Sequence, residues 1–148
     1  MERKPIVLFL CTHNAARSQM AEGFLRQLGG DRFEAVSAGL DPTTLHPLAV
    51  QVMAEVGIDI SHQKSKSLTE FLAKVPVKYA IFVCRNVEGQ CPRIWPFVPI
   101  ALSWPLDDPA TSDEGEESLE RFRRVRDEIE HKIRTWLHEL ATESAVDA

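Results

Sequence analysis

The chain has few cysteines, and their number excludes one class of protein. Three cysteines at unequal spacing in 148 residues cannot form the paired framework of a small disulfide-rich domain. Their pattern favours catalytic or redox use, with buried inert thiols as the alternative. The chain also lacks an excess of basic residues, since 17 Lys and Arg stand against 22 Asp and Glu. We therefore expect no nucleic acid partner, and any bound anion needs a local site.

Long apolar runs are missing as well. No segment approaches the roughly 18 apolar residues of a membrane-spanning helix. The short apolar run before Cys11 has no signal-peptide cleavage site, so we expect a cytoplasmic protein without membrane contact. With 44% apolar and 26% charged residues and no internal repeat or linker, the composition predicts a single domain over residues 1–148.

The spacing of apolar residues predicts alternating strands and helices. The predicted strands cover residues 6–10, 33–38, 79–83 and 100–103. The predicted helices cover residues 19–28, 48–56 and 68–74, and a long amphipathic helix precedes a frayed tail at 142–148. This alternation predicts an α/β fold with a doubly wound, four-stranded parallel sheet and helices on both faces. Ligands of such folds bind at the carboxyl ends of the strands, where both Cys11 and Cys84 lie.

Residues 11–18 connect the first predicted strand to the first predicted helix. A loop of this length can turn its N–H groups inward and form an anion-binding nest at the positive end of the helix. Arg17 adds a planar guanidinium that suits two oxygens of a tetrahedral anion. The same positive field favours the thiolate of Cys11, to which the Ser18 hydroxyl can donate. The residues predicted to bind the oxyanion are Thr12, His13, Asn14, Ala15, Ala16 and Arg17.

Two details of this loop follow from residue type. Asn14 is the loop residue best suited to a left-handed backbone conformation. For Cys11, a buried and inert thiol at the end of a strand is the alternative to a nucleophile. The strand before the loop and the helix after it favour the nucleophile.

The segment 11–23, which reads CTHNAARSQMAEG, closely resembles the phosphate loop and first helix of the low-molecular-weight protein tyrosine phosphatases and of the arsenate reductases built on the same fold. The likeness continues through residues 37–39, 59–61 and 107–109 to the terminal helix. The resemblance implies the fold of that superfamily and a nucleophilic Cys11. It also implies that Asp108 is the general acid that protonates the leaving oxygen. A turn or a helix cap is the alternative for this Asp-Pro sequence.

The pair Cys84 and Cys91 resembles the cysteine pair of the thioredoxin-coupled arsenate reductases. The resemblance implies that Cys11 attacks arsenate, that Cys84 then attacks Cys11 and releases arsenite, and that Cys91 moves the disulfide to Cys84–Cys91. Thioredoxin would then reduce that disulfide, with low-molecular-weight thiols and a glutaredoxin-like partner as the alternative donor. No metal or organic cofactor is implied, and phosphate or sulfate would compete with arsenate.

Two other functions remain open. A low-molecular-weight protein tyrosine phosphatase needs only Cys11, Arg17 and Asp108, and Cys84 and Cys91 would then be incidental thiols. The aromatic residues that usually follow the Asp-Pro pair in those phosphatases are absent here. A non-catalytic module that binds anions or a partner is the third possibility, although the nucleophile, the arginine and the acid are all present.

The chain departs from the superfamily pattern at three positions. Ala16 replaces a cysteine of some reductases, which should not affect the disulfide exchange. His13 stands where many relatives have glycine; it either adds positive charge beside the anion or is a surface residue without a role. Lys66 stands at the position of an acid that binds potassium in some relatives.

The other potassium ligands of those relatives correspond to Asn14, Glu22 and Ser37. We expect the ammonium group of Lys66 to replace the ion and pair with Glu22, so that activity does not depend on potassium. A lysine exposed to solvent is the alternative.

Overall fold

The computed structural model describes residues 4–70, 76–84, 100–107, 109 and 116–147. Over these ranges the chain forms a four-stranded parallel sheet in the order β2-β1-β3-β4, together with three α-helices and one 3-10 turn. The strands are β1 (Ile6–Cys11), β2 (Glu34–Gly39), β3 (Val77–Phe82) and β4 (Ile100–Ser103). The helices are α1 (Arg17–Gly29), α2 (Pro47–Glu55) and α3 (Glu116–Asp147), and the 3-10 turn is Leu68–Glu70. The predicted α/β fold with a four-stranded parallel sheet is confirmed.

Strand β1 is buried on both faces, as its continuous apolar run predicts. Val7 and Phe9 pack into a core cluster with all three α-helices, whereas Leu8 and Leu10 pack into a second cluster on the opposite face. Among the described residues outside the sheet, only Leu68 of the 3-10 turn packs against this second cluster. The carboxyl end of this central strand is therefore fixed from both sides, and it carries Cys11.

Two predicted elements end differently from the sequence prediction. In the described backbone α3 continues through most of the segment predicted to be a frayed tail, 142–148, and ends at Asp147. No glycine or proline interrupts this segment, and Thr142 Oγ1 donates to the carbonyl oxygen of His138 at 3.0 Å within the helix. The helix predicted at 68–74 begins as the 3-10 turn, and its residues 71–75 lie outside the described ranges.

Helix α2 is clamped to α3 by charged side chains. Arg126 Nη1 donates to the carbonyl oxygen of Val52 at 3.0 Å and to Glu55 Oε1 at 2.8 Å. Arg123 Nη2 donates to Glu55 Oε2 at 2.7 Å, and this hydrogen bond is the main reason why the pKa of Glu55 lies below its usual value. The clamp holds α2 with its first residue near the end of β1.

None of the described helices combines the length and hydropathy that a membrane crossing requires.

Candidate active site

The loop between β1 and α1 lies at the carboxyl edge of the sheet, where the sequence predicts the site. Asn14 has φ 51, the left-handed conformation expected of it. Cys11 is a free thiol and only 2% exposed. The Asn14 N–H donates to Cys11 Sγ at 3.1 Å, and Ser18 Oγ lies 2.9 Å from the same sulfur. The loop therefore surrounds the sulfur with hydrogen-bonding groups.

The carbonyl groups of the loop are bound on its outer side. Thr12 O accepts from the Asp41 N–H at 2.8 Å, His13 O from Thr43 at 3.1 Å and Ala15 O from His46 at 2.9 Å. Because these carbonyl groups are directed at the 41–46 segment, the loop N–H groups are left for the inner side, as in an anion nest. Close packing of the loop on β2 also needs Gly39, since a Cβ there would lie 2.7 Å from Thr12 O.

Helix α1 begins at this loop without a capping side chain on Ala16. The positive end of the helix dipole therefore lies at the loop, where it would stabilise a bound anion. Arg17 is the first helical residue and is 4% exposed, and its Nη1 donates to the carbonyl oxygen of Leu106 at 3.1 Å. The guanidinium is thus anchored at the mouth of the nest from the segment that follows β4.

A cleft of about 240 Å³ opens above the loop. It is large enough for a tetrahedral oxyanion. Besides Cys11, the described residues that line it include three with charged or titratable side chains, one arginine and two histidines. Its lining consists of Cys11, His13, Ala15, Ala16, Arg17, Thr43, Thr44, His46 and Pro47. The exposed His13 is therefore at the cleft, where a positive charge would attract an anion.

Glu22 is the centre of a second cluster beside the loop. Ser37 Oγ donates to Glu22 Oε1 at 2.6 Å, and Lys66 Nζ lies 3.6 Å from the same oxygen. Arg26, which the sequence analysis did not include, forms an ion pair with Glu22 Oε2. This carboxylate therefore has two cationic partners, Arg26 and Lys66. The part of the chain that the structure describes also holds no cluster of three or more His, Cys, Asp or Glu side chains suited to a metal.

Three polar residues that the sequence analysis missed support the loop. Gln19 is fully buried, and its Nε2 donates to Asn14 O at 2.9 Å and to Lys64 O at 2.8 Å. Gln63 Nε2 donates in turn to Gln19 Oε1 at 2.8 Å, and Ser65 Oγ donates to Asn14 O at 2.8 Å. Gln63 and Ser65 come from a segment more than 40 residues away, so spacing gave no signal of their role.

Cys84 follows β3 at the same edge of the sheet as Cys11 and is 1% exposed. The adjacent Val83 N–H donates to the carbonyl oxygen of Leu10 at 2.9 Å, which ties this end of β3 to the end of β1. Cys84 is disulfide-bonded, whereas Cys11 is free. Cys91 and Asp108, the remaining residues of the predicted site, lie outside the described ranges.

Comparison with known proteins identifies similar chains over nearly the full length. The profile of the family described as low molecular weight phosphotyrosine protein phosphatase matches residues 6–146. Arsenate reductase 1 of Staphylococcus epidermidis is 38% identical over 136 residues, which cover 92% of this chain and 98% of that protein.

Two solved structures extend this comparison. An arsenate reductase in the phosphate binding state superposes with a TM-score of 0.75 at 35% identity, covering 91% of this chain and 98% of that one. A thioredoxin-dependent arsenate reductase from Corynebacterium glutamicum gives a TM-score of 0.72 at 30% identity, covering 96% of this chain and 64% of that one. The resemblance drawn from the loop motif is thus confirmed at the level of the family.

Proposed function

Because the chain belongs to the low molecular weight phosphotyrosine protein phosphatase family, we propose that it is the kind of member that reduces arsenate with electrons from thioredoxin. The observation that carries the proposal is the placement of two cysteines at one edge of the sheet. Cys11 lies free in an anion-binding loop, and Cys84 is at the end of the neighbouring strand. The similarity to arsenate reductases, one of them thioredoxin-dependent, supports the choice of substrate and donor.

In the first step, arsenate occupies the nest with its charge facing the loop N–H groups and Arg17. The Cys11 sulfur attacks arsenic and forms an S–As bond, while Asp108 protonates the oxygen that leaves as water. Phosphate and sulfate, which have the same tetrahedral geometry, would compete for the nest. A reducing compartment such as the cytoplasm would keep Cys11 available for this attack.

In the second step, Cys84 attacks the Cys11 sulfur. The S–As bond breaks, and its electron pair leaves with arsenic, which departs as arsenite. Two thiols have then become the Cys11–Cys84 disulfide, which balances the two electrons that arsenic gained. Cys91 attacks Cys84 next and frees Cys11, and a dithiol of thioredoxin reduces the Cys84–Cys91 disulfide. A disulfide-bonded Cys84 beside a free Cys11 is the distribution that the attack of Cys91 would leave, before thioredoxin acts.

The first test is arsenate-dependent oxidation of NADPH with purified thioredoxin and thioredoxin reductase. Wild type should complete many turnovers, whereas Cys91→Ser should complete at most one per molecule, because its Cys11–Cys84 disulfide is not passed on. Turnover by both proteins would mean that the donor reaches Cys84 directly. Turnover by neither would contradict thioredoxin as the donor, and a glutaredoxin-like system would be tried next.

The alternative is a protein tyrosine phosphatase that uses Cys11, Arg17 and Asp108. Membership of the family and the loop geometry favour it as the second candidate. Weak phosphatase activity alone would not decide between the two, since the nest suits phosphate as well as arsenate. The dependence of turnover on Cys84 and Cys91 does decide, because phosphate ester hydrolysis needs neither.

We also propose that this enzyme needs no potassium. The expected result is equal KM for arsenate and equal Tm in potassium and sodium salts, because the ammonium group of Lys66 already lies beside Glu22. Lys66→Asp should create a response to potassium, since it restores the acid of the potassium-binding relatives. Lys64→Asp, at an exposed position two residues away, is the control and should create none. A lower KM or a higher Tm of wild type in potassium would refute the proposal.

A further inference from the structure

We propose that Gln63 and Arg26 are positioning residues that aim the hydroxyl proton of Ser18 at the Cys11 sulfur. They would act through a set of hydrogen bonds, here called the donor series, in which every side chain donates to the next. The donor series consists of Arg26, Gln63, Gln19, Asn14, Ser18 and Cys11. The inference rests on the proposed function only in that Cys11 is taken as the nucleophile.

The direction of the donor series is fixed at its outer end by Arg26. Arg26 Nη1 lies 2.7 Å from Gln63 Oε1, and a guanidinium has donors only, so the amide atom that faces it must be the oxygen. The amide nitrogen of Gln63 then faces the backbone oxygen of Gln19 at 3.0 Å and Gln19 Oε1 at 2.8 Å. Because a backbone carbonyl only accepts, both ends of the Gln63 amide require the same orientation.

Backbone groups fix the next two amides in the same way. Gln19 Nε2 faces two backbone carbonyl oxygens, those of Asn14 and Lys64, so it must be the nitrogen. It also donates to Asn14 Oδ1 at 3.1 Å. The backbone N–H of Lys66 donates to Asn14 Oδ1 at 2.8 Å, which identifies that atom as the oxygen. The amide nitrogen of Asn14 therefore faces Ser18 Oγ, at 2.7 Å.

The direction has a consequence at the nucleophile. Since Ser18 Oγ accepts from Asn14, its own proton is available to Cys11 Sγ, 2.9 Å away. A thiolate at Cys11 would then accept from both the Ser18 hydroxyl and the Asn14 N–H. If the amides were reversed, Ser18 would donate to Asn14 and turn its lone pairs towards the sulfur. The orientation of the Asn14 amide therefore decides whether Ser18 stabilises or repels a thiolate. Gln63 and Arg26 reinforce that orientation, because the donor from Gln63 to Gln19 Oε1 keeps Gln19 Nε2 directed at Asn14.

The side chains of the donor series between Arg26 and Cys11 are buried, so their orientation determines which hydrogen bonds reach Cys11. Asn14, Ser18 and Gln19 are fully buried and Gln63 is 7% exposed, so water does not substitute for a missing donor. Gln63 and Arg26 are not among the residues that line the cleft, so they act on Cys11 through the others. Arg26 is itself held by its ion pair with Glu22 on the same helix.

The test measures the reactivity of Cys11 in the full-length, reduced protein. Iodoacetamide is a neutral probe, so its rate with Cys11 reports the state of the sulfur and not the affinity for oxyanions. Mass spectrometry of the peptide that contains Cys11 separates this rate from those of the other two cysteines. All rates are compared at one neutral pH, and the charged or titratable groups of the cleft besides Cys11, which are Arg17, His13 and His46, are unchanged in every variant.

Two substitutions at Gln63 remove the donor. Gln63→Glu still accepts from Arg26 but places an oxygen against the two acceptor atoms of Gln19, and Gln63→Met removes the donor without adding charge. Both should lower the alkylation rate at least about fivefold, since a hydrogen bond to a charged group is worth more than a neutral one. If Gln63→Glu lowered the alkylation rate but Gln63→Met did not, the added charge alone would explain the effect, and the inference would be overturned. Gln27→Glu, the same change at an exposed position of α1, is the control and should leave the rate unchanged.

A substitution at Arg26 keeps the inference testable if the Gln63 variants do not fold. The Arg26 side chain is 44% exposed, so Arg26→Met should fold, and it should lower the rate about threefold because the donor that orients Gln63 is lost. Arg26→Lys keeps a cationic donor and should restore most of the rate. Arg134→Met removes another exposed ion pair between residues four apart, that with Glu130, and should have no effect.

The outcomes separate a positioning role from a structural one. A lower rate in a variant with an unchanged Tm supports the inference. A lower Tm with wild-type reactivity of the folded protein overturns it. The measurement needs neither arsenate nor thioredoxin, so its result is independent of the proposed function. If wild type fails to reduce arsenate with any thiol donor, the proposed function is wrong while the alkylation rates still decide the role of Gln63 and Arg26.

Discussion

A variant in which Cys84 is replaced by serine should release no arsenite, even though Cys11 and Arg17 remain in place. In the proposed reaction arsenic leaves only when a second sulfur attacks Cys11, and Cys84 is the thiol at the adjacent strand end. A serine hydroxyl at this position cannot attack the Cys11 sulfur, so the reaction stops at the S–As adduct. The expected loss is therefore complete, whereas a defect in binding would only raise KM.

Release of arsenite in the absence of thioredoxin measures this directly. Fully reduced wild type should release one equivalent per molecule, Cys91→Ser should also release one, and Cys84→Ser should release none. Cys84 is 1% exposed, so Cys84→Ala is made alongside to exclude an effect of the buried hydroxyl. The matched control is hydrolysis of a small aryl phosphate, which Cys84→Ser should retain and Cys11→Ser should lose. One equivalent of arsenite from Cys84→Ser would show that another thiol reaches Cys11 and would contradict the role of Cys84.

The strands and the nucleophile loop could be predicted from the sequence because both depend on neighbouring residues. A buried strand needs a short apolar run, and each of the four described strands lies within two residues of its prediction. The loop needs a cysteine, an arginine six residues later and a residue that tolerates a left-handed backbone, which Asn14 supplies. The pairing of Lys66 with Glu22 was accessible only through the resemblance to relatives that bind potassium at these positions.

The supports of the loop could not be predicted in the same way. Gln63 lies 44 residues from Gln19, and nothing in a polar segment of the sequence indicates that one of its amides is buried. From the sequence, Arg26 would be predicted to be an exposed helix residue. Its side chain is indeed 44% exposed, but its guanidinium contacts Glu22 and Gln63. Hydrogen bonds that join distant segments depend on how the fold brings those segments together, and residue spacing along the sequence does not show this.

Replacing Arg17 by lysine should lower kcat/KM for arsenate about a hundredfold or more, because two charge-assisted hydrogen bonds to the anion are lost and each is worth roughly 1.5–3 kcal/mol. Lysine keeps the positive charge but offers a point charge in place of a planar fork. The separate nitrogens of Arg17 would let it bind two oxygens of the anion and keep its hydrogen bond to Leu106 O, whereas a lysine ammonium could not do both. The lysine variant would therefore lose the paired hydrogen bonds to the anion, although it would keep the electrostatic attraction.

Three measurements separate the clamp from the charge. Phosphate binding by calorimetry should weaken along with kcat/KM, and Arg124→Lys, at an exposed position of α3, should change neither. Alkylation of Cys11 by the anion iodoacetate should slow relative to alkylation by neutral iodoacetamide, since only the former reagent needs the anion site. If Arg17→Lys instead kept kcat/KM within about tenfold of wild type, positive charge alone would suffice. The loop N–H groups would then hold the anion, and Arg17 would serve mainly to attach α1 to the segment after β4.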